Sequence, residues 1–333
     1  MFVGKNLVKI VVLGTGGTIA GEGLDPENRP ENDRAYTAAQ RPVAALLQGV
    51  ALPPGVDIVT EQVAQLDSKD MDHATWRQLL ARCRHWLAQD VAGIVITHGT
   101  DTLEETAFFL SQTLPANQPV VLTCAMRPAT SFEADGPQNL TDALTLVLEP
   151  QARGVLAVCA GQAHGALEVQ KVHASRLDAF ASAAGPVALC ENGAWVWQAN
   201  PSSSQDQADG DAIEKRAQAC LTSQDWPRVE VVMSHAGATG AVVDALLSAS
   251  GPARLDGLVV AATGHLTVQA SLQKSLERAA QQGVAVRLAT RCVSGGVMQS
   301  QADASSATGA CNPLSPVKAR IALMLELMLA ERA

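Results

Sequence analysis

The chain predicts a two-domain α/β fold: a larger N-terminal, doubly wound, mostly parallel sheet flanked by helices, then a smaller C-terminal α/β domain. Three observations carry this. Short Val/Ile/Leu runs, which read as strands buried on both faces, alternate with segments of helical periodicity. A polar stretch at 200–218, rich in Ser, Asp and Gln, interrupts that alternation. A length of 333 residues is enough for two separate cores.

Taken in order, the first strand is expected at 8–13 (VKIVVL), breaking into GTGGTIAG at 14–21. A helix at 42–47 and a strand at 56–62 follow, then a helix at 74–89. The apolar run 93–97 is a strand that stops abruptly at Thr97-His98-Gly99-Thr100-Asp101, with a helical pattern at 103–114. A strand at 119–124, a helix at 139–148 and a strand at 154–159 continue the alternation. Residues 1–199 are therefore read as one domain, 200–226 as a linker and 227–333 as the second domain. The second domain reads as strand 229–233, helix 241–247, strand 257–262, helix 268–282 and strand 284–288. Ser315-Pro316 makes an N-cap and first turn for a closing helix at 317–330 with an apolar face. No internal repeat is present.

Composition narrows the function. A net charge of −9 without a Lys/Arg cluster argues against a nucleic-acid partner. No apolar run reaches the roughly 18–20 residues of a membrane span. The N-terminal residues lack a signal-peptide layout and are better used as the first strand, so a cytoplasmic address is expected. The 7 cysteines are odd in number and scattered, without a CxxC pair, which favours free thiols in a reducing compartment. The 7 histidines include no HExxH, so no metal and no cofactor are expected.

Two strand ends, each with a threonine beside glycine, point to one site assembled from two loops outside the carboxyl edge of the sheet. In 14–21, Ile19 breaks the dinucleotide spacing, and no Lys-Ser/Thr pair completes a P-loop. The loop reads either as a tight structural turn or as a mount for Thr18 as nucleophile, with Gly17 letting backbone approach a ligand. Asp101 with Glu104, or Thr102 with Glu105, fits a capping box; Asp101 equally fits a carboxylate anchor for a substrate ammonium. Lys171, in the extended-looking ALEVQKVHA at 166–174, is either a solvated charge or a base held neutral by burial that takes a hydroxyl proton. Tyr36, the sole tyrosine, sits in a polar segment at 21–39 with the composition of a gate.

The motifs GTGGTIAG (14–21), LDSKDM (66–71), ITHGTDTLEETAFFL (96–110), CAMRP (124–128), ADGPQNL (134–140) and EVQKVHA (168–174) together resemble the bacterial-type L-asparaginases. The likeness runs to NPLSPVKARIALMLEL at 312–327 and covers nearly the whole chain. It implies amide hydrolysis by double displacement, with no metal or cofactor. By position, Thr18 matches the nucleophile and Tyr36 the lid tyrosine that helps activate it. Thr100, Asp101 and Lys171 match the second catalytic set, in which Asp101 also holds the substrate α-ammonium. Gly17 stands beside the nucleophile, Ser68 with Lys69 matches the α-carboxylate pocket, and Ala125 matches the carbonyl facing the amide nitrogen. The resemblance implies a homotetramer, a dimer of dimers, in which a neighbour's second domain completes each pocket. Three departures stand out. His265 occupies the place where many members carry asparagine. Asp303 is the sole acid between Arg291 and Lys318, where many members supply a glutamate, and that loop looks shortened. The lid from Thr18 to Tyr36 is longer than usual. Two other readings remain: an ammonia-releasing amidotransferase subunit, which normally carries an extra N-terminal domain, and an amino-acid-binding protein without catalysis.

Overall fold

The computed structural model describes residues 7–24, 35–199, 210–295, 297, 311–312 and 314–330. Residues 25–34 of the expected lid, 200–209 of the expected linker, and Asp303 lie outside them. The chain divides into two compact units, Met1–Glu214 and Lys215–Ala333.

In the first unit the strands are β1 Val8–Gly16, β2 Glu22–Gly23, β3 Tyr36–Thr37, β4 Val56–Leu66, β5 Gly93–Thr97, β6 Pro119–Thr123 and β7 Gly154–Cys159. They continue as β8 Gln162–Gly165, β9 Gln170–Lys171, β10 Phe180–Ala181, β11 Ala188–Glu191 and β12 Ala194–Trp197. The helices are α1 Val43–Leu46, α2 His73–Leu87, α3 Leu103–Thr113 and α4 Gly136–Val147. The main sheet is eight-stranded, in the order β12-β11-β8-β7-β6-β5-β1-β4. Strands β4, β1, β5, β6 and β7 pair in parallel, whereas β8, β11 and β12 extend the edge antiparallel.

The parallel part follows from the sequence: β5, β6 and β7 are buried at every position, so both faces must be apolar. On one face Ile10, Val12, Val95, Val121, Leu156 and Val158 pack with Leu140, Leu144 and Val147 of α4. The antiparallel extension gave no comparable signal, since β8 reads Gln-Ala-His-Gly, without a β-branched residue. The strand order sets the site. From β1 the chain moves outward to β4, then returns across β1 to start β5 on its other side. The carboxyl ends of β1 and β5 thus flank a reversal of strand order, the crevice where open α/β sheets bind ligands.

Within the expected linker, Gly210–Thr222 is helix α5, and the division between the units falls inside it. Its buried residues are Ala217, Ala219 and Cys220, small side chains that leave little apolar signal in a polar stretch. The second unit has β13 Val229–Met233, α6 Ala241–Leu247, β14 Gly257–Ala262, α7 Ala270–Gln281, β15 Ala285–Thr290, β16 Cys311–Asn312 and α8 Pro316–Ala330. Its four strands are parallel in sequence order. Helix α8 buries Ile321, Met324, Leu325 and Met328 and packs across β13, β14 and β15. Among the described residues no helix is long and apolar enough to cross a membrane.

Candidate active site

The loop leaving β1 is shaped by glycines. Gly16 and Gly17 adopt φ of 102° and 80°, a region that side-chain-bearing residues seldom enter. A Cβ on Gly17 would stand 2.3 Å from the Gly99 Cα, so the loops after β1 and β5 touch backbone to backbone. A Cβ on Gly99 would in turn meet the Ser68 Oγ at 2.5 Å, which brings the turn after β4 to the same point. Two glycines therefore allow three strand ends to converge. The N–H of Gly17 donates to Leu66 O at 2.9 Å, so its part in the loop is to permit close approach.

Thr18 follows on a short 3-10 turn, Thr18–Ala20, and is 7% exposed. Its Oγ lies 2.7 Å from the Tyr36 Oη. Tyr36 reaches it because β2 and β3 pair antiparallel, Gly23 opposite Tyr36. Gly21 leaves room for the ring; a Cβ there would be 2.9 Å from Tyr36 Cδ2. The ladder is pinned in turn: Gly23 N donates to Thr130 Oγ at 2.7 Å, and Ala129 N donates to Gly21 O at 3.0 Å.

The second cluster resolves the capping question. The N-cap of α3 is Thr102, whose side chain makes no capping bond to that helix. The Thr102 hydroxyl donates instead to Ser68 O at 2.7 Å. Asp101 turns to Lys171, whose Nζ lies 2.6 Å from Asp101 Oδ1 and 2.8 Å from Thr100 Oγ. Glu104 and Glu105 still lie in the first turn, where a helix dipole favours acids. The dry pocket expected for Lys171 is not what it occupies. Its side chain is 21% exposed and paired with the Asp101 carboxylate. The N–H of Lys171 donates to Glu104 Oε2 at 2.8 Å, tying β9 to α3.

Ser68 is buried, and its Oγ accepts from Asp101 N at 3.1 Å, which leaves the hydroxyl proton for another acceptor. Lys69 beside it is exposed and paired with Asp70, with Asp67 at 3.7 Å. Ala125 is buried just past β6. Its loop hangs on two residues of the ADGPQNL motif, whose roles the sequence alone does not show. Asp135 accepts from Met126 N at 2.9 Å and Arg127 N at 3.0 Å. Asn139 Nδ2 donates to Cys124 O at 3.0 Å, and its Oδ1 accepts from Ala160 N at 2.9 Å. Glu104 likewise carries only a capping signal in the sequence. The signal for all three was polar residues at fixed offsets on helix first turns.

Thr18, Tyr36, Ser68, Thr100, Asp101, Ala125 and Lys171 thus gather at strand ends of the first unit. His265 belongs to the second unit, in a turn where Thr263 and Thr267 exchange backbone bonds of 3.2 and 2.9 Å. Next to the site, His98 is fully buried, and burial pushes its pKa down to about 4, against the opposing bond to Gly99 O. Among the described residues no group of three or more His, Cys, Asp or Glu is placed to hold a metal ion.

Chemically, the site offers a hydroxyl on a glycine mount, bonded to a phenol, beside a second hydroxyl bonded to an ammonium–carboxylate pair. Residues 9–203 match the family model "Asparaginase, N-terminal", and 228–332 match "Glutaminase/Asparaginase C-terminal domain". A probable periplasmic L-asparaginase of Haemophilus influenzae is 33% identical, covering 97% of this chain and 89% of its own. A glutaminase-asparaginase of Pseudomonas fluorescens is 31% identical over 96% of this chain and 86% of its own. The crystal structure of a probable cytoplasmic L-asparaginase from Campylobacter jejuni superposes with a TM-score of 0.82 at 32% identity, covering 96% of this chain and 95% of that one.

Proposed function

This chain belongs to the asparaginase family, and on that premise we propose that it hydrolyses L-asparagine to L-aspartate and ammonia, with L-glutamine as a secondary substrate. The observation that carries the reading is the pairing of two hydroxyls with two different partners, Thr18 with Tyr36 and Thr100 with Lys171.

Thr18 Oγ attacks the carboxamide carbon, and its proton passes through the Tyr36 Oη toward the leaving nitrogen. The C–N bond breaks, ammonia departs and an ester to Thr18 remains. Water then attacks that ester; aspartate leaves and the Thr18 hydroxyl is restored. Lys171 bonds both Thr100 Oγ and Asp101 Oδ1, so a proton taken from water at Thr100 has a continuous path to a carboxylate. Asp101, still half exposed beside Lys171, has a free oxygen for the α-ammonium. Ser68 supplies a hydroxyl to the α-carboxylate and the adjoining Lys69 a positive charge. The Ala125 carbonyl receives the amide N–H. His265 contributes from the second unit of a neighbouring chain in a homotetramer arranged as a dimer of dimers. The exposed Phe132, Val172 and Leu177, close in sequence to Ala125 and Lys171, are apolar surface suited to that contact. A cytoplasmic address fits the described cysteines Cys83, Cys124, Cys159, Cys190 and Cys292, which form no disulfide.

The test is ammonia release from L-asparagine and L-glutamine, side by side, with Thr18→Ala as control. Wild-type release from asparagine, reduced at least ~10³-fold in the variant, is expected. Release from neither substrate would sink the reading; release undiminished in Thr18→Ala would remove Thr18 as nucleophile.

A further inference from the structure

Two of the free cysteines meet directly behind the Ala125 loop. In the parallel pair β6–β7, Thr123 lies opposite Val158, so the next step along both strands sets Cys124 beside Cys159. Neighbouring strands are about 4.8 Å apart, and residues in register point to the same face. Cys124 is 0% and Cys159 5% exposed. The Cys159 Sγ donates to Leu177 O at 3.3 Å, which leaves its lone pairs to the Cys124 thiol. That sulfur contact is the first cause of the raised pKa of Cys124, with burial second. The positive charge of Lys171 acts in the opposite sense and favours the thiolate.

We propose that Cys124 and Cys159 form a two-sulfur site for a soft cation of linear coordination, Cu(I), Ag(I) or Hg(II), and that filling it inhibits the neighbouring active site. The ligand set selects the ion. Zinc and iron require three or four protein donors, and no such cluster exists among the described residues. Two thiols shielded from water suit a soft, weakly hydrated ion and repel Mg(II) or Ca(II). Binding converts two S–H groups into two metal–sulfur bonds and releases two protons, because a coordinated thiol is deprotonated outright. A monovalent ion leaves the complex with one negative charge, which Lys171 offsets.

The inhibitory half rests on the proposed function; the binding half does not. A linear S–metal–S unit needs the sulfurs further apart than a direct thiol contact. Widening the pair strains the Cys124 segment, whose carbonyl is held by Asn139 and whose next residue is Ala125. Inhibition follows from shifting Ala125 away from the leaving amide.

The experiment uses the full chain carrying Cys292→Ala, which removes the thiol that is exposed among the described cysteines. One equivalent of Ag(I) is added, the sulfur coordination is read by X-ray absorption, and ammonia release is assayed on the same sample. Two sulfurs per silver and a more than tenfold loss of activity are expected. Adding Cys159→Ala, or Cys159→Ser, which keeps a donor to Leu177 O, should abolish two-sulfur binding and the inhibition. Single-sulfur silver in the parent, or two-sulfur silver that survives both substitutions, overturns the site. Two-sulfur binding without loss of activity retains the site and overturns the inhibition.

Discussion

A methyl group added at either of two glycines separates the role of backbone from the role of side chain in the Thr18 loop. Gly17 combines a φ of 80° with a 2.3 Å approach to Gly99 Cα, so Gly17→Ala has nowhere to go. A cost of about 3 kcal/mol or more is expected, seen as a fall in Tm. Gly21 has an ordinary φ, and its added Cβ meets the Tyr36 ring at 2.9 Å and Thr18 O at 3.0 Å. Gly21→Ala should therefore lower kcat by roughly tenfold or more, through displacement of the Tyr36 phenol, with much less loss of Tm. Equal losses of stability in the two variants would contradict this division.

At the scale of elements, α3 is the informative case. Its first turn carries the acids a capped helix would have, yet its N-cap residue, Thr102, makes no side-chain capping bond. Thr102 and Asp101 bond across to Ser68 and Lys171 instead, so local helix stability gives way to the assembly of strand ends. Asp101 is 53% exposed in its ion pair, and pairs so open to water contribute about 0–1 kcal/mol. Asp101→Asn is thus expected to leave the urea midpoint within experimental scatter while cutting ammonia release by at least ~10²-fold. A large stability loss with proportionate activity would restore the capping role. The same trade is visible at α4, where Asp135 and Asn139 hold the Ala125 loop.

For the molecule as a whole, two buried histidines set a pH limit. Burial depresses the pKa of His98 and of His164 to about 4, from an ordinary 6.5. Between those values the unfolded chain binds protons that the folded chain refuses, so stability rises with pH. The contribution is complete above pH ~6.5, is lost progressively as pH falls and levels off below ~4. Each histidine accounts for roughly 3 kcal/mol across the window. Urea unfolding at stepped pH should show the slope, and His164→Gln, which can replace the 3.0 Å bond between His164 Nδ1 and Ser182 Oγ, should flatten it by about half. An unchanged slope in that variant would show that His164 is not the sensor.

Much of this protein is written in local pattern. Runs such as VKIVVL and GIVIT declared strands buried on both sides, and their abrupt ends at Gly14 and Thr97 marked the two loops that carry Thr18 and Thr100. The motifs identified the family and its candidate residues. Other features had too weak a pattern to read: β8, with small and polar residues on an antiparallel edge, and α5, buried through alanines. Periodicity reports which face of an element is apolar, not which residue will stand opposite it. The contact of Gly17 with Gly99, the choice of Lys171 over a helix cap for Asp101, and the meeting of Cys124 with Cys159 were decided by strand order and register. Lys171 and Asp101 lie 70 residues apart in the chain, and only the folding of the sheet sets one against the other.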